Sequence, residues 1–92
     1  MMITYDSNKR EKILNERGLD FRDAVIIFRG EIYEFEDIRE DYCEKRIIAV
    51  GHLQSRMIIV GYVQRGDIKH IFSMRKANER EIKKYQERFE EN

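Results

Sequence analysis

This chain has a single cysteine, no net charge and no long apolar run, and each shortage closes off a class of protein. Cys43 has no second cysteine to pair with, and no cluster of Cys and His could form a structural zinc site. The longest apolar run is far below the roughly 20 residues needed to span a membrane. Met1-Met2-Ile3-Thr4 passes at once into charged sequence, so no secretory leader is read there. A cytoplasmic location, away from membranes, is therefore expected. Lys and Arg together number 18 and Asp and Glu 18, for a formal net charge of +0. A neutral chain does not bind nucleic acid by bulk electrostatics.

The 92 residues suffice for one domain, 1–92, with a modest core. Hydrophobic residues make up 41% and charged residues 39%, which suits a small folded domain with a heavily ionised surface and excludes a wholly disordered chain. The neutral sum hides a segregation. Residues 31–44 carry seven acids and one base, Arg39, a net −6. Residues 65–85 carry seven bases and three acids, a net +4. Such a split fits an anion site at one end and a basic partner at the other, and it equally fits a solvated surface.

Three β-rich runs dominate the pattern: Ile47–Leu53, Met57–Val63 and Ile68–Met74. Gln54-Ser55 and Gly66-Asp67 supply the breaks, which predicts an antiparallel meander. Ahead of it, Ile3-Thr4-Tyr5 is a short β-prone stretch, with Asp6 or Ser7 able to cap a helix. Asn8–Arg17 lacks Gly and Pro and is rich in helix formers, and Gly18 is placed to end it. A second short helix sets Phe21, Ala24, Val25 and Phe28 on one face and closes at Arg29-Gly30. Glu31–Glu36 reads as an edge strand or an irregular extended segment, and Asp37–Cys43 as a loop. Asn78 with Glu81 three residues on resembles a capping box, opening a last helix with Ile82, Tyr85 and Phe89 as its stripe and a frayed Glu90-Glu91-Asn92 end. The order is β-α-α-β-β-β-β-α: an α+β domain with two N-terminal helices on an antiparallel sheet and one C-terminal helix crossing an edge.

Strand alternation predicts Lys69, Ile71, Ser73 and Arg75 on one face of the last strand, with His70, Phe72 and Met74 on the other. Two cations and a hydroxyl on one face can grip a phosphate, although an exposed face of a small sheet carries such residues routinely. Glu44 and Arg46 set a carboxylate and a guanidinium two residues apart, a base with a charge stabiliser or a surface ion pair. His70 is a possible acid or base but, beside Phe72 and Met74, reads better as a half-buried structural residue. Tyr85 reads as core packing with a hydroxyl that reaches towards the sheet edge.

Five short motifs, in order, resemble the BrnT family of type II toxins, small ribonucleases with a RelE-like fold. They are Tyr5-Asp6 with Lys9; Gly18-Leu19-Asp20-Phe21 with Asp23-Ala24; Asp37-Ile38-Arg39 with Tyr42 and Glu44-Lys45-Arg46; Tyr62-Val63-Gln64-Arg65-Gly66; and Ile71-Phe72-Ser73-Met74-Arg75-Lys76-Ala77-Asn78 through Arg80-Glu81 and Tyr85. The chain departs from the family pattern at Ile13, Arg17 and Cys43, where the family usually has Asn, His and Gly. The resemblance implies metal-independent endoribonuclease activity that inhibits translation, with no cofactor. For such cleavage the catalytic candidates are Glu44 as base, Arg65 and Arg75 on the phosphate, Arg46 as auxiliary cation and Tyr85 as positioner or donor. Lys69, Ser73 and Lys76 are the RNA-binding candidates. It further implies a BrnA-like antitoxin with a ribbon-helix-helix domain, so that DNA is contacted only through that partner; the acidic stretch 31–44 or Tyr33 and Phe35 would meet it. The alternative is a homologue without cleavage, acting as a protein- or RNA-binding module.

Overall fold

Local caps set where the helices begin and end. In the computed structural model, which describes residues 1–41 and 43–90, Asp6 caps the first helix, α1 (Ser7–Arg17), by accepting from the N–H groups of Asn8 (2.8 Å) and Lys9 (3.2 Å). Gly18 ends it at φ 69°, a left-handed conformation that costs glycine little. Asp20 then caps a 3₁₀ turn, Phe21–Asp23, that runs into α2 (Ala24–Arg29), and Arg10 grips Asp20 through two 2.8 Å bonds. The last helix, α3 (Glu79–Glu90), opens on a reciprocal capping box. Asn78 Oδ1 accepts from the Glu81 N–H (2.8 Å), and Glu81 Oε1 accepts from the Asn78 N–H (3.0 Å). Tyr42 of the expected family motif, and Glu91 and Asn92 of the expected frayed end, lie outside the described residues.

The strands are β1 (Met2–Tyr5), β2 (Tyr33–Glu36), β3 (Arg46–Leu53), β4 (Arg56–Arg65) and β5 (Ile68–Lys76), in the sheet order β1-β5-β4-β3-β2. The meander β3-β4-β5 is antiparallel, as expected, and β2 adds antiparallel to β3. Its first hairpin turns on Gln54 (φ 51°) and Ser55 (φ 67°), a two-residue loop with both residues left-handed that suits the twist of the flanking strands. The sheet is mixed rather than wholly antiparallel, because β1 lies parallel along β5. A parallel neighbour needs a long crossover, and α1, α2 and the meander together supply it.

The sheet buries both faces unequally. On one, α1 and α2 cover Ala49, Ile58, Val60, Tyr62, Ile71 and Met74 with Ile13, Leu19, Phe21, Ala24, Ile27 and Phe28. Gly51 lets α2 come close, since a Cβ there would sit 2.5 Å from a methyl of Ile27. On the other face, α3 covers Val50, Met57 and Ile59 with Tyr85 and Phe89, and Tyr85 also packs on Tyr33 and Phe35 of β2. The last helix thus lies on the second face beside the β2 edge, and it leaves the β5 end of that face open. Among the described residues no helix is long and apolar enough to cross a membrane.

A bulge breaks the expected alternation of β5. Gly61 pairs with Ser73 and Tyr62 with Ile71, so Phe72 is an extra residue in the ladder. Ile71 and Met74 therefore both point into the helix-covered core, while His70, Ser73 and Arg75 share the open face. Lys69 is not on that face: its ammonium sits 4.6 Å from the Tyr62 ring centroid and 5.3 Å from that of Phe28. Lys76 pairs with Ile58 and belongs to the helix-covered side as well. The predicted grouping of Lys69, Ser73 and Arg75 is corrected by this one inserted residue.

Candidate active site

The open face carries two hollows that share Phe72 as a wall. One, of 460 Å³, is lined by Glu44, Arg46, Arg65 and His70 together with Asp41, Cys43 and Val63. The other, of 540 Å³, lies between the bulge, the Asp37–Arg39 loop and α3, and takes in Ser73, Arg75, Glu81 and Tyr85. The Phe72 ring crosses the sheet over Gly61, where a Cβ would stand 2.7 Å from two ring carbons. Only glycine lets an aromatic ring lie this close to the backbone. The Arg46 guanidinium stacks 4.7 Å from the Phe72 centroid, and the Lys9 ammonium stands 5.8 Å from it.

Each of three arginines at this face is gripped by a carboxylate through two hydrogen bonds. Arg65 donates from Nε (2.8 Å) and Nη2 (2.7 Å) to Glu44. Arg75 donates from both terminal nitrogens, at 2.7 Å each, to Glu81. Arg39 donates from Nε and Nη2, at 2.8 Å each, to Asp37, whose side chain is only 4% exposed. Two parallel bonds fix the plane of a guanidinium, so these cations are oriented before any ligand arrives. The Arg65 partnership holds the Glu44 carboxyl below its ordinary range, with Arg65, His70 and Arg46 charges adding to the effect. His70 Nδ1 lies 2.9 Å from Thr4 Oγ1, which ties this ring to β1.

The expected site residues are thus partly gathered. Glu44, Arg46 and Arg65 meet in one hollow, and Ser73, Arg75 and Tyr85 in the other. Lys69 and Lys76 line neither. Tyr85 is 8% exposed and stacked 6.0 Å from Phe35, so its ring serves packing first. Sequence reasoning passed over Phe72, Asp37 and Glu81 and read His70 as structural. Strict alternation had turned Phe72 away from Ser73 and Arg75, and only the bulge reunites them. The signal for Glu81 was present in the capping box, but its second partner, Arg75, lies across the strand-to-helix junction. Among the described residues, no group of three or more His, Cys, Asp and Glu side chains is placed to hold a metal ion.

A family model described as "Ribonuclease toxin, BrnT, of type II toxin-antitoxin system" matches residues 5–81, most of the chain, from the last residue of β1 to the first turn of α3. The chain belongs to the BrnT family. It is accordingly a ribonuclease toxin of a type II toxin–antitoxin system, with RNA as substrate and a cognate antitoxin as partner. Comparison with curated proteins gives no match. Two of its departures from the BrnT pattern have structural explanations. Ile13 is 6% exposed in the core under α1, and Arg17 donates from Nη1 to the Met74 carbonyl (3.0 Å), tying α1 to β5. Both sit on α1, which packs on the face of the sheet away from the cleft. Cys43 is different, being exposed on the Glu44 hollow.

In this BrnT-family cleft Glu81 has two tasks, orienting Arg75 and capping α3. Arg75, first, and the Asn78 N–H together lower its carboxyl to about 2, against the opposing effect of partial burial. A depressed folded value means the stabilisation is complete above the ordinary carboxylate range and disappears as pH falls through about 2. Melting temperature should therefore drop as pH is lowered from about 5 to about 2. Glu81→Gln should be less stable at neutral pH and should flatten part of that slope. An unchanged acid limb in the variant would show that Glu81 does not carry the linkage.

Proposed function

We propose that this chain is a metal-independent endoribonuclease that cleaves RNA and inhibits translation in the cytoplasm. The reading rests on one observation: Glu44, Arg46, Arg65 and His70 line a single hollow on a face that α3 leaves open, with Arg75 beyond Phe72. RNA cleavage without a metal needs a base for the 2′-hydroxyl, cations for the phosphorane and a proton for the departing oxygen. In this proposal the phosphate draws Arg65 to itself and releases Glu44, which takes the proton of the 2′-hydroxyl. The 2′-oxygen then bonds to phosphorus as the bond to the 5′-oxygen breaks. Arg46, Arg65 and Arg75 hold the charge that builds on the phosphoryl oxygens. His70 protonates the 5′-oxygen, leaving a 2′,3′-cyclic phosphate and a 5′-hydroxyl end. Tyr85 acts from beneath, as a packing group that keeps α3 and the Arg75–Glu81 pair in place.

The cognate antitoxin is proposed to be BrnA-like, with a ribbon-helix-helix domain that makes the DNA contacts. Tyr33 and Phe35, packed against Tyr85, offer it less free surface than the exposed acids Glu40, Asp41 and Glu44 do.

The experiment is cleavage of a single-stranded RNA by the purified chain in excess EDTA, with the new ends identified. Cyclic phosphate and 5′-hydroxyl ends are expected, at a rate unaffected by the chelator. Loss of cleavage in EDTA that added Mg²⁺ restores would overturn metal independence. In cells, induction without antitoxin should arrest growth and co-expression should restore it. Normal growth despite soluble, folded protein would favour a homologue acting as a binding module.

A further inference from the structure

The hollow beyond Phe72 has no task in the cleavage step apart from Arg75 at its border, yet it is the larger of the two. Its 540 Å³ fall within the roughly 300–1,000 Å³ of sites that take small organic ligands. Its floor is apolar and aromatic, made by Ile48, Ile59, Phe72 and Tyr85, with the bare backbone of Gly61 among them. Flat apolar surfaces of this kind receive the faces of unstacked bases. Its rim is charged, with Arg39 and Arg75 set among the carboxylates of Glu36, Asp37 and Glu81. Arg39 and Arg75 both border it, close enough for their like charges to oppose one another. Each is aimed by a carboxylate, and Asp37, which aims Arg39, also accepts from the Arg39 N–H (3.2 Å) and donates its own N–H to the Arg46 carbonyl (2.8 Å). The loop that presents Arg39 is thereby tied to the strand that presents Arg46.

We propose that this hollow is a nucleotide subsite for single-stranded RNA, taking the nucleotide next to the cleaved bond, with its base against Phe72 and the Ile48–Ile59 floor and its phosphate on Arg39. The proposal rests on the ribonuclease reading and adds to it a substrate requirement. The chain must act best on unpaired RNA longer than a dinucleotide, because a base held in a duplex cannot turn its face to Phe72. Arg39 is a binding residue here and takes no part in the chemical step.

The test compares a dinucleotide with the same substrate extended by one nucleotide at either end, in wild type, Arg39→Ala and Arg39→Gln. The glutamine keeps an amide donor for Asp37 while removing the charge. One of the two extensions should raise kcat/KM at least tenfold in wild type. Both variants should lose most of that gain, through KM, with a smaller loss on the dinucleotide. Equal cleavage of all lengths would overturn the subsite, as would an equal loss on every length. Unchanged RNA cleavage coupled to weakened antitoxin binding would assign the hollow to the antitoxin instead. Binding of the same lengths made with a 2′-deoxy sugar at the reacting position separates the two readings. A trinucleotide that binds at least tenfold tighter than the dinucleotide, with the gain lost in both variants, supports the subsite even if no RNA is cut. No gain with length overturns it even if RNA is cut.

Discussion

Replacing Arg75 with alanine is expected to slow RNA cleavage by roughly 30- to 900-fold, about 2–4 kcal/mol of transition-state stabilisation. Arg75 lines the hollow beyond Phe72, with both terminal nitrogens already held in plane by Glu81. A guanidinium oriented in advance loses little on meeting a phosphoryl group whose charge is growing, and alanine removes that contact altogether. Lysine should recover part of the rate, because it restores a charge without the fork. The structure also assigns a stability cost to this change. Glu81, with a side chain 20% exposed, keeps only its bond from Asn78, so the melting temperature should fall by the few degrees that correspond to about 1 kcal/mol. Single-turnover rates on an RNA substrate, with parallel melts, check both numbers. A variant that cleaves at the wild-type rate removes Arg75 from the site, and one that unfolds makes it structural.

Replacing Phe21 with alanine is expected to do the opposite. Phe21 is fully buried, 0% exposed, on the 3₁₀ turn, with its ring edge-to-face against Tyr5 at 6.2 Å. It belongs to the cluster that seats α1 and α2 on Ile71 and Met74. Losing a buried phenylalanine costs about 3–5 kcal/mol, because the cavity left behind only partly collapses. For a domain of this size that is a fall in melting temperature of about 12–40 °C. Stabilities of small domains lie near 5–15 kcal/mol, so the variant should be folded in the cold and marginal at 37 °C. Its cleavage rate at low temperature should match wild type, since Phe21 lies on the face of the sheet away from the cleft. A normal melting temperature would mean that the core closes over the gap. A lost rate in folded protein would mean that the two faces are coupled.

The sequence by itself determined the parts of this BrnT-family protein whose causes are local. Asp6, Gly18 and the Asn78–Glu81 box carry their partners within four residues, so the helix ends could be read directly. The meander was equally legible, since β3, β4 and β5 follow one another through two-residue turns. Glu44, Arg46 and Arg65 could be grouped because the motifs holding them resemble one family. Three matters were left to the tertiary structure, and each depends on residues far apart in the chain. Met2–Tyr5 finds Ile68–Ile71 in parallel only after the whole meander is built, and nothing near β1 specifies that direction. The α3 helix turns to the second face because Tyr85 and Phe89 meet Val50, Met57 and Ile59 there, a complementarity that its own amphipathic stripe does not name. Phe72 is displaced from the ladder because a ring can lie over Gly61, ten or more residues away on the neighbouring strand. That bulge decides the site: it separates Lys69 from Ser73 and Arg75, and it raises an aromatic wall between the two hollows. Strand alternation is a local rule with period two, and one extra residue, placed by a contact across the sheet, inverts everything beyond it.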